Sequence, residues 1–93
     1  MSTSGLRDHL MSDSLDASIR ELFAALLRVP VTRIDDHARP ATIETWDSMQ
    51  HLMLVSGFEE EFSIDVDPEE AVDMYESFAA FRRIVLAKLE QRR

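Results

Sequence analysis

Hydrophobic positions recur with helical spacing in the first long segment of the chain. Between residues 15 and 27, large apolar side chains return every three or four positions, which is the pattern of an amphipathic α-helix. Asp13 or Ser14 can cap the first turn, and Pro30 disfavours helical geometry at the residue before it. We therefore predict a first helix that ends near Arg28. Its apolar positions are Leu15, Ile19, Leu22, Phe23, Leu26 and Leu27.

A second apolar stripe predicts a helix over residues 48–62. Asp47 is a good N-cap, and Gln50 three residues later makes a pair that resembles a capping box. Gly57 lies inside the pattern at a cost of ~1 kcal/mol relative to alanine, and we interpret it as permitting close helix packing. The stripe consists of Leu54, Phe58 and Phe62, spaced four residues apart.

The remaining segments predict a long connection and two further helices. Residues 31–46 exceed the usual length of a structureless loop, so we expect a short helical turn near residues 32–36. Pro68 suits the first position of a short helix over residues 68–74, and Ser77 can cap a last helix. The expected anchors of the connection are Val31, Ile34 and Ile43, and the short helix is expected to turn Ala71, Val72 and Met74 to the core.

These elements predict an all-α fold, a small four-helix bundle with three longer helices and one short helix. No segment has the alternating pattern of a strand. Residues 1–13 are rich in serine and are expected to form a poorly ordered leader, with residues 14–91 as the folded domain. The expected core consists of Leu22, Leu26, Leu54, Phe58, Phe62, Phe81 and Val85.

Composition narrows the classes of function. The chain has 93 residues, no cysteine and a formal charge of −8 from 18 acidic and 10 basic residues. This charge argues against nucleic acid as a partner, because phosphate backbones are bound by clustered Lys and Arg. No apolar run reaches the ~18–20 residues that a membrane span needs, and no signal peptide is recognised, so a cytoplasmic protein is expected.

The acidic residues are concentrated in one part of the chain. Residues 40–81 contain eleven acidic residues and no Lys or Arg. Such a stretch is either a solvated face or a docking surface for basic partners, and charge alone leaves both open. Met49 and Met53 lie one helical turn apart. They either pack in the core or form an adaptable contact patch, and the sequence leaves both interpretations open.

Metal and catalytic sites have little support. Acidic residues within 65–76 have the spacing of a calcium loop, but Glu70 stands where that loop needs glycine. We therefore interpret them as residues of a short helix and its flanks and predict no metal site. Ser48 and His51 can share a helical face, yet a chain with room for one core offers little to exclude water, so no enzyme is predicted.

The second predicted helix opens with the motif Trp46-Asp47-Ser48-Met49. Phe58-Glu59-Glu60-Glu61-Phe62 closes that helix, and Asp67-Pro68-Glu69-Glu70 and Ser77-Phe78 follow. In this order and spacing, residues 15–89 resemble a stand-alone acyl carrier protein.

The resemblance implies that a phosphopantetheinyl transferase moves 4′-phosphopantetheine from coenzyme A onto Ser48. The thiol of this arm then holds acyl groups as thioesters and presents them to enzymes of a fatty-acid, polyketide or specialised lipid pathway. Asp47 is implied as the acid that engages the transferase's magnesium, and the protein itself as a non-enzymatic monomer. The partner enzymes are expected to have basic docking patches. The residues expected to contact them are Trp46, Met49, Met53, Glu59, Glu60, Asp67, Glu69 and Glu70.

Four departures from the family pattern modify this expectation. Met49 replaces the usual leucine, and Gln50 and Met53 stand where acids are common, while the upstream glycine is missing. We therefore expect partners distinct from the primary fatty-acid enzymes. Two alternatives stay open: a carrier of amino acids or peptides, and an unmodified acidic interaction module with a carrier-like fold.

Overall fold

The protein is all-helical. A computed structural model describes residues 3–91, with side chains described from residue 14 onward. Within that part there are four α-helices and no strand, which confirms the prediction of three longer helices and one short one. None of the described helices is both long and apolar enough to cross a membrane. The helices are α1 (Thr3–Leu27), α2 (Ser48–Phe62), α3 (Pro68–Met74) and α4 (Phe78–Gln91), with a 3-10 turn at Val31–Arg33.

Helix α1 begins at Thr3, well before the predicted start at Asp13 or Ser14. No glycine or proline interrupts residues 6–27, so nothing in the backbone forces the helix to begin later. The helix therefore runs through most of the segment expected to be a poorly ordered leader. The side chains of residues 1–13 lie outside the described residues, and the domain boundary at residue 14 stays a prediction.

An aromatic cluster forms the centre of the core. The ring of Phe23 on α1 makes edge contacts with Trp46, Phe78 and Phe81 at centroid distances of 4.8–5.0 Å. Phe58 on α2 contacts Phe81 at 4.7 Å. Of the predicted core, Leu54, Phe58, Phe81 and Val85 are buried, while Leu22, Leu26 and Phe62 are partly buried against it.

Gly57 lets α2 approach α1 closely. A Cβ atom at residue 57 would lie 2.9 Å from Cδ1 of Leu26, closer than carbon atoms normally pack. The prediction that this glycine permits close helix packing is confirmed. Helix α2 then ends at Phe62, and the C-cap residue Ser63 has a left-handed backbone conformation (φ 54°).

The long connection between α1 and α2 is tied to the rest of the fold. Ile34 and Ile43 are buried as predicted, but Val31 is exposed, because it opens the 3-10 turn outside the core. Thr45 donates its hydroxyl to the carbonyl of Leu27 (2.6 Å), and the carbonyl of Ala38 accepts from the amide of Phe78 (2.8 Å). The connection therefore delivers the first residue of α2 at a defined place.

Candidate functional site

Ser48 is the first residue of α2 and its side chain is exposed. Asp47 before it has an extended backbone, and its carboxylate accepts a hydrogen bond from the amide of Gln50 (2.8 Å). The predicted N-cap is confirmed. The reciprocal half of the capping box is wrong, because the side chain of Gln50 donates instead to the carbonyl of Leu26 on α1 (3.1 Å).

The start of α2 provides a favourable place for a negative charge. The first N–H groups of a helix have no partner within it, and the helix dipole is positive at that end. An anion attached to the Ser48 hydroxyl would therefore lie beside backbone donors. Asp47 occupies one of these donors, the amide of Gln50, and so fixes the first turn.

An apolar groove lies beside Ser48, between α2 and α3. Its volume is about 490 Å³, within the range of small-molecule sites. Ser48 is one of the residues that line it, and most of the wall is aliphatic or aromatic. The lining residues are Ser48, Met49, His51, Leu52, Pro68, Ala71, Val72 and Tyr75.

Four large hydrophobic side chains near this groove are exposed to solvent. Their exposed fractions are 74% for Met49, 66% for Leu52, 62% for Met53 and 73% for Val72. Core packing is therefore excluded for the two methionines. The expectation that Val72 faces the core is wrong, because α3 turns that position outward and buries Met74 instead. We call these four residues the apolar patch.

The acidic residues expected to contact partners differ in whether they are free in solvent or hydrogen-bonded within the fold. Glu60 and Glu69 are exposed, whereas the carboxylate of Glu59 accepts from the amide of Val66 (2.9 Å). Glu59 and Glu60 line a second recess of about 950 Å³ on α2. The recess also includes Leu52 and Met53 of the apolar patch, so acidic and apolar side chains share one surface.

Glu70 is held between α3 and α4. Its carboxylate lies 2.7 Å from the ammonium of Lys88 and accepts the amide of Asp67 (3.0 Å) at the start of α3. The hydrogen bond with Lys88 is the main reason that the pKa of Glu70 lies below, and the pKa of Lys88 above, its ordinary value. Asp67, the N-cap of α3, is exposed.

Trp46 does not belong to the exposed surface. Only 1% of it is accessible, because it packs edge-on against Phe23 and Tyr75 in the core. The expectation that Trp46 contacts a partner is wrong. Its indole Nε1–H instead donates to Nδ1 of His51 at 3.0 Å.

His51 is a buried residue that sequence reasoning left without a role. Since Nδ1 accepts from Trp46, the ring proton lies on Nε2, which donates to the carbonyl of Ala71 on α3 at 2.7 Å. Burial lowers the pKa of His51, and the bond to Ala71 opposes that shift only in part. The imidazole is thus neutral and joins the connection, α2 and α3. The signal in the sequence was the five-residue spacing from a tryptophan, which alone does not predict such a bond.

No model of a known protein family matches the chain, and no curated protein matches it either. Among the residues with described side chains, no group of three or more His, Cys, Asp or Glu is placed to hold a metal ion.

Proposed function

We propose that the protein is an acyl carrier protein in which Ser48 bears a 4′-phosphopantetheine arm. The observation that supports this most is the position of Ser48: an exposed side chain on the first residue of a helix, lining an apolar groove. The transferase would form a phosphodiester between the Ser48 oxygen and the phosphopantetheine, and 3′,5′-adenosine diphosphate would leave from coenzyme A. Asp47 holds the turn that presents the hydroxyl.

The start of α2 suits the product of that reaction. The phosphodiester has a negative charge, and at Ser48 it would lie against backbone N–H groups at the positive end of the dipole. The arm would then leave the helix at an exposed position where enzymes can reach its thiol.

The groove supports a carrier of acyl chains over a carrier of amino acids. Its walls, Leu52, Pro68, Ala71 and Val72 among them, offer aliphatic contact next to the point of attachment. Burying an acyl chain there would contribute roughly 0.8 kcal/mol for each methylene removed from water. A free amino group, charged at neutral pH, would gain nothing from those walls.

Partner enzymes would recognise this carrier through both charge and apolar contact. The acidic stretch attracts a basic docking face over long range, while the apolar patch offers flexible Met side chains for close contact. Met53→Glu should therefore reduce kcat/KM for the cognate acyl-transferring enzyme. Ala87→Glu, which adds the same charge on the exposed face of α4, is the matched control. Equal activity of the two variants would contradict this use of the patch.

The carrier assignment is tested by intact-mass measurement after co-expression with a broad-specificity phosphopantetheinyl transferase. We expect the mass to rise by one phosphopantetheine group. Ser48→Ala should abolish the gain, and Ser56→Ala, an exposed serine on the same helix, should retain it. An unshifted mass would favour the unmodified interaction module, and a shift that survives Ser48→Ala would place the arm elsewhere.

A further inference from the structure

The apolar groove between α2 and α3 has an exposed rim and a buried floor. Met49, Leu52 and Val72 of its lining are exposed, so they form the rim. His51 is buried and Tyr75 is half-buried, so these two rings form the floor. A ligand in the groove therefore has aliphatic contact at its sides and meets two aromatic rings beneath it.

His51 closes the gap between the two helices at that floor. Its Nε2–H donates to the carbonyl of Ala71 on α3 (2.7 Å), and its Nδ1 accepts from the indole of Trp46 (3.0 Å). Because both ring nitrogens are bonded, the imidazole is held in one orientation. We call the hydrogen bond from His51 to Ala71 the bridge.

The core fills the space behind the bridge. The ring of His51 contacts the rings of Tyr75 (4.8 Å between centroids) and Phe81 of α4 (6.1 Å). Phe81 is fully buried and in turn packs against Phe58 of α2 (4.7 Å). An alkyl chain that moved inward would have to separate His51 from Ala71 and leave a ring N–H against hydrocarbon, which is unfavourable.

We propose that His51 is the specificity-determining residue of the groove, because its bridge restricts the groove to short acyl chains. This inference rests on the proposed carrier function and names its class of acyl group. The stretch of α2 from Ser48 to Leu52 rises about 6 Å, which matches roughly five carbons of an extended alkyl chain. A chain of that length can lie along the rim, whereas the further carbons of a longer chain stay in solvent.

The absence of cysteine from the sequence allows a test that needs no transferase. Ser48→Cys introduces a single thiol, to which methyl, butyl or octyl groups are attached as mixed disulfides with alkyl methanethiosulfonates. Each methylene sheltered by the folded protein should lower the unfolding equilibrium constant by up to about fourfold. In urea unfolding we expect a fall of about 4- to 60-fold from methyl to butyl, and of at most about twofold from butyl to octyl.

Two double variants identify His51 as the cause of the limit. In Ser48→Cys/His51→Ala the bridge is absent, so octyl should lower the unfolding constant at least about tenfold relative to butyl. Ser48→Cys/His37→Ala removes an exposed histidine instead and should behave like Ser48→Cys. A tenfold fall from butyl to octyl in Ser48→Cys itself would overturn the proposal. Equal butyl and octyl values without His51, or no fall from methyl to butyl in Ser48→Cys, would also overturn it.

If the variant without His51 does not fold, NMR of the attached chain in Ser48→Cys decides. An isotope-labelled terminal methyl should be protected from a soluble paramagnetic agent in the butyl adduct and accessible to it in the octyl adduct. A protected octyl methyl would refute the length limit. The alkyl series and the mass measurement fail separately: a modified Ser48 without the limit contradicts only this inference, and the limit in a chain that is never modified contradicts only the carrier assignment.

Discussion

Replacing Trp46 with phenylalanine tests whether this residue acts inside the core. The phenyl ring can still contact Phe23, but the indole N–H is removed, and Nδ1 of His51 loses its donor. His51 is only 5% exposed, so water cannot readily replace that donor. An unsatisfied buried acceptor costs ~1–3 kcal/mol, and the smaller ring adds ~1 kcal/mol for the space it leaves.

Together these effects predict a loss of ~2–4 kcal/mol in the free energy of unfolding, a large part of the stability of a small domain. Urea unfolding followed by far-ultraviolet circular dichroism measures it. With a slope of ~1.5 kcal/mol per molar urea, the midpoint should fall by ~1.3–2.7 M.

A double-mutant cycle separates the hydrogen bond from the ring volume. In a His51→Leu background the buried indole N–H already lacks its acceptor. Trp46→Phe there removes an unsatisfied donor as well as ring volume, so it should cost at most ~1 kcal/mol. Equal losses in both backgrounds, or a midpoint in the single variant close to that of the wild type, would refute the argument that the Trp46–His51 bond stabilises the fold.

Three further predictions concern neighbouring parts of the molecule. Leu54→Ala should lower the free energy of unfolding by ~2–5 kcal/mol, because Leu54 is buried. Leu52→Ala, two positions away in the exposed apolar patch, should change it by less than ~0.5 kcal/mol. Similar urea midpoints for the two variants would contradict the assigned faces of α2. Asp47→Ala should lower the free energy of unfolding by ~1 kcal/mol, because it removes the N-cap of α2. Asp47→Asn should keep most of the stability, because asparagine also caps helices. Thermal unfolding of the two variants measures the difference. Lys88 lowers the pKa of Glu70. Their ion pair should therefore stabilise the fold at a pH above the ordinary pKa of glutamate, and this contribution should be lost as the pH falls through the lowered pKa of Glu70. Lys88→Met should therefore flatten the acid limb of stability against pH, and an unchanged limb would count against the pair.

The helices could be predicted from the sequence because local signals and the apolar period agreed. Asp47, Pro68 and Ser77 stand at the predicted starts of α2, α3 and α4, and Ser77 accepts the amide of Ala80 (3.1 Å). The start of α1 was missed, since serine and aspartate before residue 15 resemble a cap even where a helix continues.

The orientation of single side chains was less accessible to sequence reasoning. Val72 and Trp46 are both large and apolar, yet one is exposed and the other is at the centre of the core. A seven-residue helix has too few turns for its period to identify the buried face. The place of Trp46 depends on Phe23, a residue of α1 brought near only by folding.

Part of the candidate site could be predicted from the sequence and part could not. The position of Ser48 on the first turn followed from Asp47 and the helical pattern alone. His51 was missed because its two partners, Trp46 and Ala71, lie on opposite sides in sequence and meet only through tertiary packing. These hydrogen bonds depend on the relative positions of the connection, α2 and α3, so no local sequence pattern predicts them.

Fragmentation of the intact, transferase-treated protein in the mass spectrometer tests the central claim most directly, because it locates the added group on the chain. The carrier assignment predicts one phosphopantetheine, released as a characteristic fragment and retained only on fragments that contain Ser48. A protein that remains unmodified while a known carrier in the same reaction is fully converted would contradict it, as would a group located on any other residue.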